Sequence, residues 1–201
     1  KYSSIRQIST GPELAYVTDQ PGLLQSSEFE YRLFLNLEVG DWIGARYTRR
    51  FERLDESFKV HEGIEIPVGD YAFSTASFNF FPNDARRVGG FFSYQLGEFF
   101  DGTRHRISTD VNVKVNSRLS VESSYGFNRV SLPAGSFLTN QTTSRLLYSF
   151  SPGFFVRGLV QWNSAREIIG SNFLLNYQYA PGSDLFLVYN HAWDTEGEFR
   201  Q

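Results

Sequence analysis

The chain predicts an all-β fold: an antiparallel up-and-down transmembrane β-barrel, with about ten to twelve strands visible in the sequence. Three observations carry this. Apolar and polar residues alternate with a period of two through segment after segment, and a helical period never prevails. The connections alternate in length: short turns fall near Gly40, Asn83, Ser117, Pro152 and Gly182, and longer loops around 55–69, 97–105, 131–141 and 164–169. Consecutive hairpins return every second connection to the same end of a sheet, so one end carries tight turns and the other loops, as barrels do. Finally, aromatic residues gather near strand ends, where girdles at two membrane interfaces would place them.

Taken in order, residues 1–25 carry two short strand-like pieces, near Tyr2–Ile8 and Glu13–Thr18, with turn signals at Gly11-Pro12 and Pro21-Gly22. A regular hairpin array then runs over 26–193. Tyr31, Leu33, Leu35 and Leu37 oppose Glu30, Arg32, Asn36 and Glu38; Ile43, Ala45, Tyr47 and Phe51 oppose Arg46, Thr48, Arg50 and Glu52. Residues 55–69 make an excursion in which Phe58, Val60, Ile64 and Ile66 alternate, read as strand extending past the main sheet. Ala76, Phe78 and Phe80 form the next apolar face, followed by Val88 to Leu96, Ile107 to Val115 and Leu119 to Phe127. The clearest hairpin is RLLYSFSPGFFVRGLVQW (145–162), turning at Ser151-Pro152-Gly153; Phe173 to Tyr179 and Leu185 to Tyr189 close the array. Residues 194–201 read as a polar tail, and the whole of 1–201 as a single barrel domain. GIEIPVGDYAF (63–73) and RVSLPAGSFLT (129–139) share an apolar-x-apolar-Pro-x-Gly pattern, read as two loop tips at the same end.

Composition narrows the class. A net charge of -3 offers no basic surplus for nucleic acid. The absence of cysteine excludes disulfides and thiolate metal sites. Methionine is also absent and Lys1 is not a translated start, so the sequence is expected to be a processed or excised piece. No apolar run approaches the ~20 residues of a spanning helix, but barrel strands need only ~9–11 residues each, apolar at alternate positions.

Alternation alone also fits a soluble sandwich. The barrel is favoured because the apolar face persists along nearly every strand with little edge protection. The opposite face carries charge at mid-strand, which is costly in lipid and comfortable in a wet lumen. The lumen-facing candidates are Arg32, Arg46, Arg50, Glu52, Asp110, Lys114, Glu122, Arg145 and Arg157. They suit a salt-bridged, water-filled or plugged lumen; the functional alternative is a selectivity ring for an anionic solute. The interface aromatics are Trp42, Phe80, Phe127, Phe150, Phe154, Trp162 and Tyr179.

No catalytic or metal constellation emerges. His61, His105 and His191 have no paired spacing. Asp101, Asp184, Asp194 and Glu196 sit in turns where Asp caps its own backbone. Gly89-Gly90 precedes no helix and marks a strand bend rather than a phosphate loop. GSF at 135–137 and GSN at 170–172 lack a nucleophile-elbow pattern. No catalytic residue, cofactor or metal is assigned, and an enzyme is not expected.

GIEIPVGDYAF, GEFFDGTRHR, NRVSLPAGSF, LLYSFSPGFFVRGLVQWNS and YAPGSDLFLVYN together resemble the C-terminal half of an uncharacterised bacterial family. In that family a family-9-type carbohydrate-binding module precedes an outer-membrane β-barrel. The resemblance covers about residues 40–193 and is densest from Asn128 to Asn190. It implies the outer membrane of a Gram-negative cell and supplies no site residues. The carbohydrate module is missing here, and so are the closing strand and terminal aromatic residue such barrels carry. The expected role is a pore, or a membrane anchor for an attached module linked to carbohydrate binding or uptake. The expected partners are the lipid bilayer, lipopolysaccharide, and a fused or associated periplasmic or surface module. The alternatives are a soluble all-β carbohydrate-binding module and, with less support, an outer-membrane hydrolase.

Overall fold

The computed structural model describes residues 4–194. Thirteen strands make up the described residues, with no helix among them: β1 (Ile5–Thr18), β2 (Leu24–Leu37), β3 (Trp42–Leu54), β4 (Phe58–His61), β5 (Ile64–Ile66), β6 (Gly69–Phe81), β7 (Val88–Phe99), β8 (Gly102–Lys114), β9 (Leu119–Leu132), β10 (Gly135–Ser151), β11 (Phe154–Asn163), β12 (Ile168–Ala180) and β13 (Ser183–Asp194). Eleven form one up-and-down antiparallel sheet in the order β1-β2-β3-β6-β7-β8-β9-β10-β11-β12-β13, and β4 pairs only with β5. The order runs from β1 to β13 without returning on itself among the described residues. The tail beyond Asp194 lies outside the described residues, as does Tyr2.

Two expectations about connections need correction. The segments 97–105 and 131–141 are not long loops. β7 and β8 are joined through Phe100 and Asp101 alone, and β9 and β10 through Pro133 and Ala134 alone. The polar residues Thr103 to Arg106 are already strand, and the connection expected to be a short turn at Asn83 spans 82–87, so the connections do not sort into tight turns at one end and loops at the other. The second correction concerns Gly11-Pro12, which does not divide the first segment. β1 runs through both residues, with Pro12 opposite Tyr31. A strand at the end of the order pairs on one side only, so a residue without an N–H is tolerated there.

The chain forms two compact units. The first comprises, of the described residues, 4–83, 92–107 and 128–138. Its registers set Leu33, Ala45 and Phe78 side by side, and likewise Leu35, Ile43 and Phe80. On the reverse face Glu28, Arg50 and Phe73 form one row and Arg32, Arg46 and Ser77 another. The apolar face has no covering layer: Leu33 is 38% exposed, Tyr47 44% and Phe78 45%. On β3 that face carries Ile43, Ala45 and Tyr47, then Arg49 and Phe51. Beyond Arg49 the same face carries Arg53 and Asp70, paired fork to fork with both contacts at 2.7 Å.

The dry core of the described residues is small and lies in this unit. The excursion 55–69 is not a continuation of the main sheet. It is the separate β4–β5 hairpin, whose Ile64 and Ile66 are buried with Phe73, Phe100, Val130 and Leu132. Phe100 takes a left-handed backbone (φ 53°), unusual for an aromatic residue. Its ring packs 5.0–5.2 Å from those of Phe99, Phe73 and Tyr71, and this burial offsets the strain. The Tyr71 hydroxyl donates to the Pro67 carbonyl at 2.8 Å and ties down the hairpin's exit.

The second unit comprises, of the described residues, 84–91, 108–127 and 139–194. Registers align Leu146, Gly158, Phe173 and Tyr189 in one row, and Tyr148, Val156, Leu175 and Leu187 in the next. The reverse face aligns Arg145, Leu159, Asn172 and Asn190. Here too the apolar face is bare, with Phe173 44% and Leu187 66% exposed.

Candidate functional site

In the first unit the polar face is a ladder of arginines and glutamates built by period two. Glu28, Glu30 and Arg32 alternate along β2, and Arg46, Arg50 and Glu52 along β3. The register would set like charges opposite each other, Arg32 to Arg46 and, through β1, Glu13 to Glu30. Direct like-charge neighbours across strands are unfavourable, and the long side chains resolve this diagonally. Glu30 sits between two arginines, 3.0 Å from Arg32 Nε and 3.3 Å from Arg46 Nε. The second contact is an ion pair whose angle makes no hydrogen bond. Arg50 Nε donates to Glu28 at 2.8 Å and lies 3.8 Å from Glu52; Arg32 also pairs with Glu13. These arginines are about 40% exposed. Each pair therefore contributes at most ~1 kcal/mol, and the ladder sets the pattern of charge more than it stabilises the fold.

Of the expected lumen residues, Arg32, Arg46, Arg50 and Glu52 thus meet in one network. In the second unit Glu122 and Arg145 lie 3.7 Å apart, both more than half exposed. Arg157 shares the Arg145 face and its guanidinium stands 5.8 Å from the Phe155 ring. The Lys114 ammonium donates to the Asp84 carbonyl, so it braces a turn. Asp110 shares strand parity with Lys114, and its backbone carbonyl faces Gly90.

Four ladder members escaped the sequence reading as site residues: Glu13, Glu28, Glu30 and Arg104. Glu28 was legible, since it continues the Glu30-Arg32 alternation. Arg104 was lost with the supposed 97–105 loop, since Thr103 to Arg106 are all polar and carry no alternation, yet they lie in β8. Its Nη2 donates to Gln95 Oε1 at 3.2 Å and its guanidinium lies 4.6 Å from the centre of the Phe99 ring.

The aromatics divide by face. On β11, Phe154 and Trp162 share the bare apolar face and stand eight residues apart. At one end Phe150 stacks on Phe154 (4.4 Å, 17°) and Tyr177 meets Phe154 edge-on at 5.5 Å. At the other, Trp162 and Trp193 flank Ile169. Tyr179 follows Tyr177 on the same parity, 66% exposed. Phe127 shares parity with Ser123, whose hydroxyl meets that of Ser144 on the apolar face. Phe80 lies with Ile43 on the apolar face of the first unit. Trp42 departs from this set: its register with Asn36 and Phe81 puts it on the side of Arg46.

The histidines have separate surroundings. His61 stacks on Phe137 (4.6 Å), His105 bonds the Tyr94 hydroxyl (2.9 Å), and His191 lies against Trp193 (4.4 Å). No group of three metal-ligating side chains occurs among the described residues. No family model, no curated protein and no solved structure matches the chain.

Proposed function

We propose that the chain is an outer-membrane β-barrel wall, with its apolar face against lipid and its charged face toward water, acting as a passive pore or as the anchor of an attached module. One observation carries this reading: in each unit the apolar face is bare (Leu33, Tyr47 and Phe78 in the first, Leu146, Phe173 and Leu187 in the second), while arginines and glutamates pair on the reverse face. In a water-soluble sandwich those positions would be the dry interior. The height of the band fits as well. Eight residues of strand from Phe154 to Trp162 span about 27 Å, or about 21 Å along the membrane normal at a tilt near 40°, close to the ~25 Å apolar band of such barrels.

Closure into a ring, location in a Gram-negative outer membrane, contact with lipopolysaccharide and an association with a carbohydrate-binding module belong to the same proposal. Within it, the β4–β5 hairpin fills part of the wet side at one end and narrows what passes. Selection is by width and charge, with no chemistry performed on the solute. The test is to refold the full chain in detergent and compare heated with unheated samples by gel electrophoresis, then record in planar bilayers. A compact, faster-migrating unheated band and discrete conductance steps are expected. A compact band without steps leaves the anchor alone. A chain that is monomeric and folded without detergent would reject the membrane reading in favour of a soluble module.

A further inference from the structure

The ladder lines a pocket of about 140 Å³ in the first unit. Arg46, Arg50 and Arg104 stand on it with Glu28 and Glu30; Arg46 faces Glu30 at 3.3 Å, which leaves Arg104 as the lining cation to account for. Arg50 is committed to Glu28 and Glu52. Arg104 is not: among the described residues no carboxylate pairs with it, its neighbours being Gln95 and the Phe99 ring, and its Nε is buried without a hydrogen-bond partner. Arg46 Nε makes no hydrogen bond either, but it stands 3.3 Å from a Glu30 carboxylate oxygen in an ion pair. A buried N–H with no acceptor is unfavourable, so the Arg104 guanidinium has an unmet donor on this pocket. Phe73, which packs in the dry Ile64–Ile66 core, also lines the pocket and limits water on that side. Thr48, Thr75 and Ser77 add hydroxyls able to donate or accept.

We infer that this pocket binds the carboxylate of a small hydroxy acid, with Arg104 and Arg46 holding the anion and the threonine and serine hydroxyls meeting its hydroxyl groups. A monoanion matches the one guanidinium, Arg104, that pairs with no ladder glutamate, and a planar carboxylate matches its fork. The volume equals about four to five waters, which suits a short hydroxy acid or the acid end of a sugar acid. The assignment holds whether the chain is a pore or an anchor, because binding requires no conduction.

Calorimetric titration of the full chain in detergent tests it, with sodium glycerate, sodium glucuronate and glycerol as ligands. Glycerate is expected to bind and glycerol, its uncharged counterpart, is not. Arg104→Gln should weaken glycerate binding at least tenfold, Arg104→Lys should restore only part of it, and Arg118→Gln, outside the pocket, should leave it unchanged. The unheated-gel shift confirms that each variant is folded. Glucuronate binding as tightly as glycerate identifies the acid end of a sugar acid; glycerate alone binding identifies a free small acid; either supports the site. Equal heats for glycerate and glycerol, or an unchanged affinity in folded Arg104→Gln, would overturn it. Loss of conductance with binding intact would instead count against the pore.

Discussion

Gly90 shows how closely strands approach one another in the second unit. Its φ is +131°, and a Cβ there would stand 1.9 Å from the Asp110 carbonyl oxygen. The neighbour is backbone, which has no rotamer with which to move aside. Gly90→Ala is expected to destabilise the chain by roughly 2–3 kcal/mol, read as a lower urea midpoint, since strain at such a position ranges over about 1–3 kcal/mol. The two faces make opposite predictions for neighbouring residues on β12. Phe173→Arg puts a cation on the bare apolar face and is expected to cost about 2–4 kcal/mol for refolding into vesicles. Asn172→Arg, one residue away on the Arg145 face, is expected to cost less than about 1 kcal/mol. Equal losses for the two would show that the faces do not see different solvents. Tryptophan fluorescence extends the comparison. In single-tryptophan variants, lipid-borne bromine should quench Trp162 and Trp193 near headgroup depth. Trp42, on the Arg46 side, should respond instead to a water-soluble quencher.

Among the elements, the β4–β5 hairpin departs most from a plain hairpin array. Its apolar pair Ile64 and Ile66 precedes Pro67 as Val130 and Leu132 precede Pro133, and the two pairs meet in one buried cluster. The internal echo is thus a packing unit: each Pro ends an apolar-x-apolar step that points into the same core. Ile66 is 1% exposed, so Ile66→Ala should remove about 2–5 kcal/mol of hairpin attachment, seen as faster amide exchange over residues 58–66 while β11–β13 stay protected. On the pore reading, replacing 57–67 by a short Gly/Ser link should raise single-channel conductance; an unchanged value would place the hairpin clear of the path.

For the molecule as a whole, the strands, their antiparallel succession and the two-faced character of the sheet were legible in the sequence. Period two needs only the geometry of an extended chain, and Leu33 or Phe173 declares its face through its neighbours alone. Tight turns such as Ser151 to Gly153 were legible for the same local reason. The 97–105 and 131–141 tips were misread because turn residues announce a tip but not how far pairing continues on either side; that depends on the partner strand. The ladder was half legible. Arg32, Arg46 and Arg50 stand out by parity, but that Glu30 bridges two of them, that Glu28 takes Arg50 and that Arg104 joins the pocket follow from register and from strands far apart in sequence. The tertiary structure alone decided that Ile64, Ile66, Val130 and Leu132 form a dry core while the longer apolar rows stay bare. The reason is physical: alternation specifies that a face is apolar, and only the packing of non-local segments specifies what, if anything, covers it.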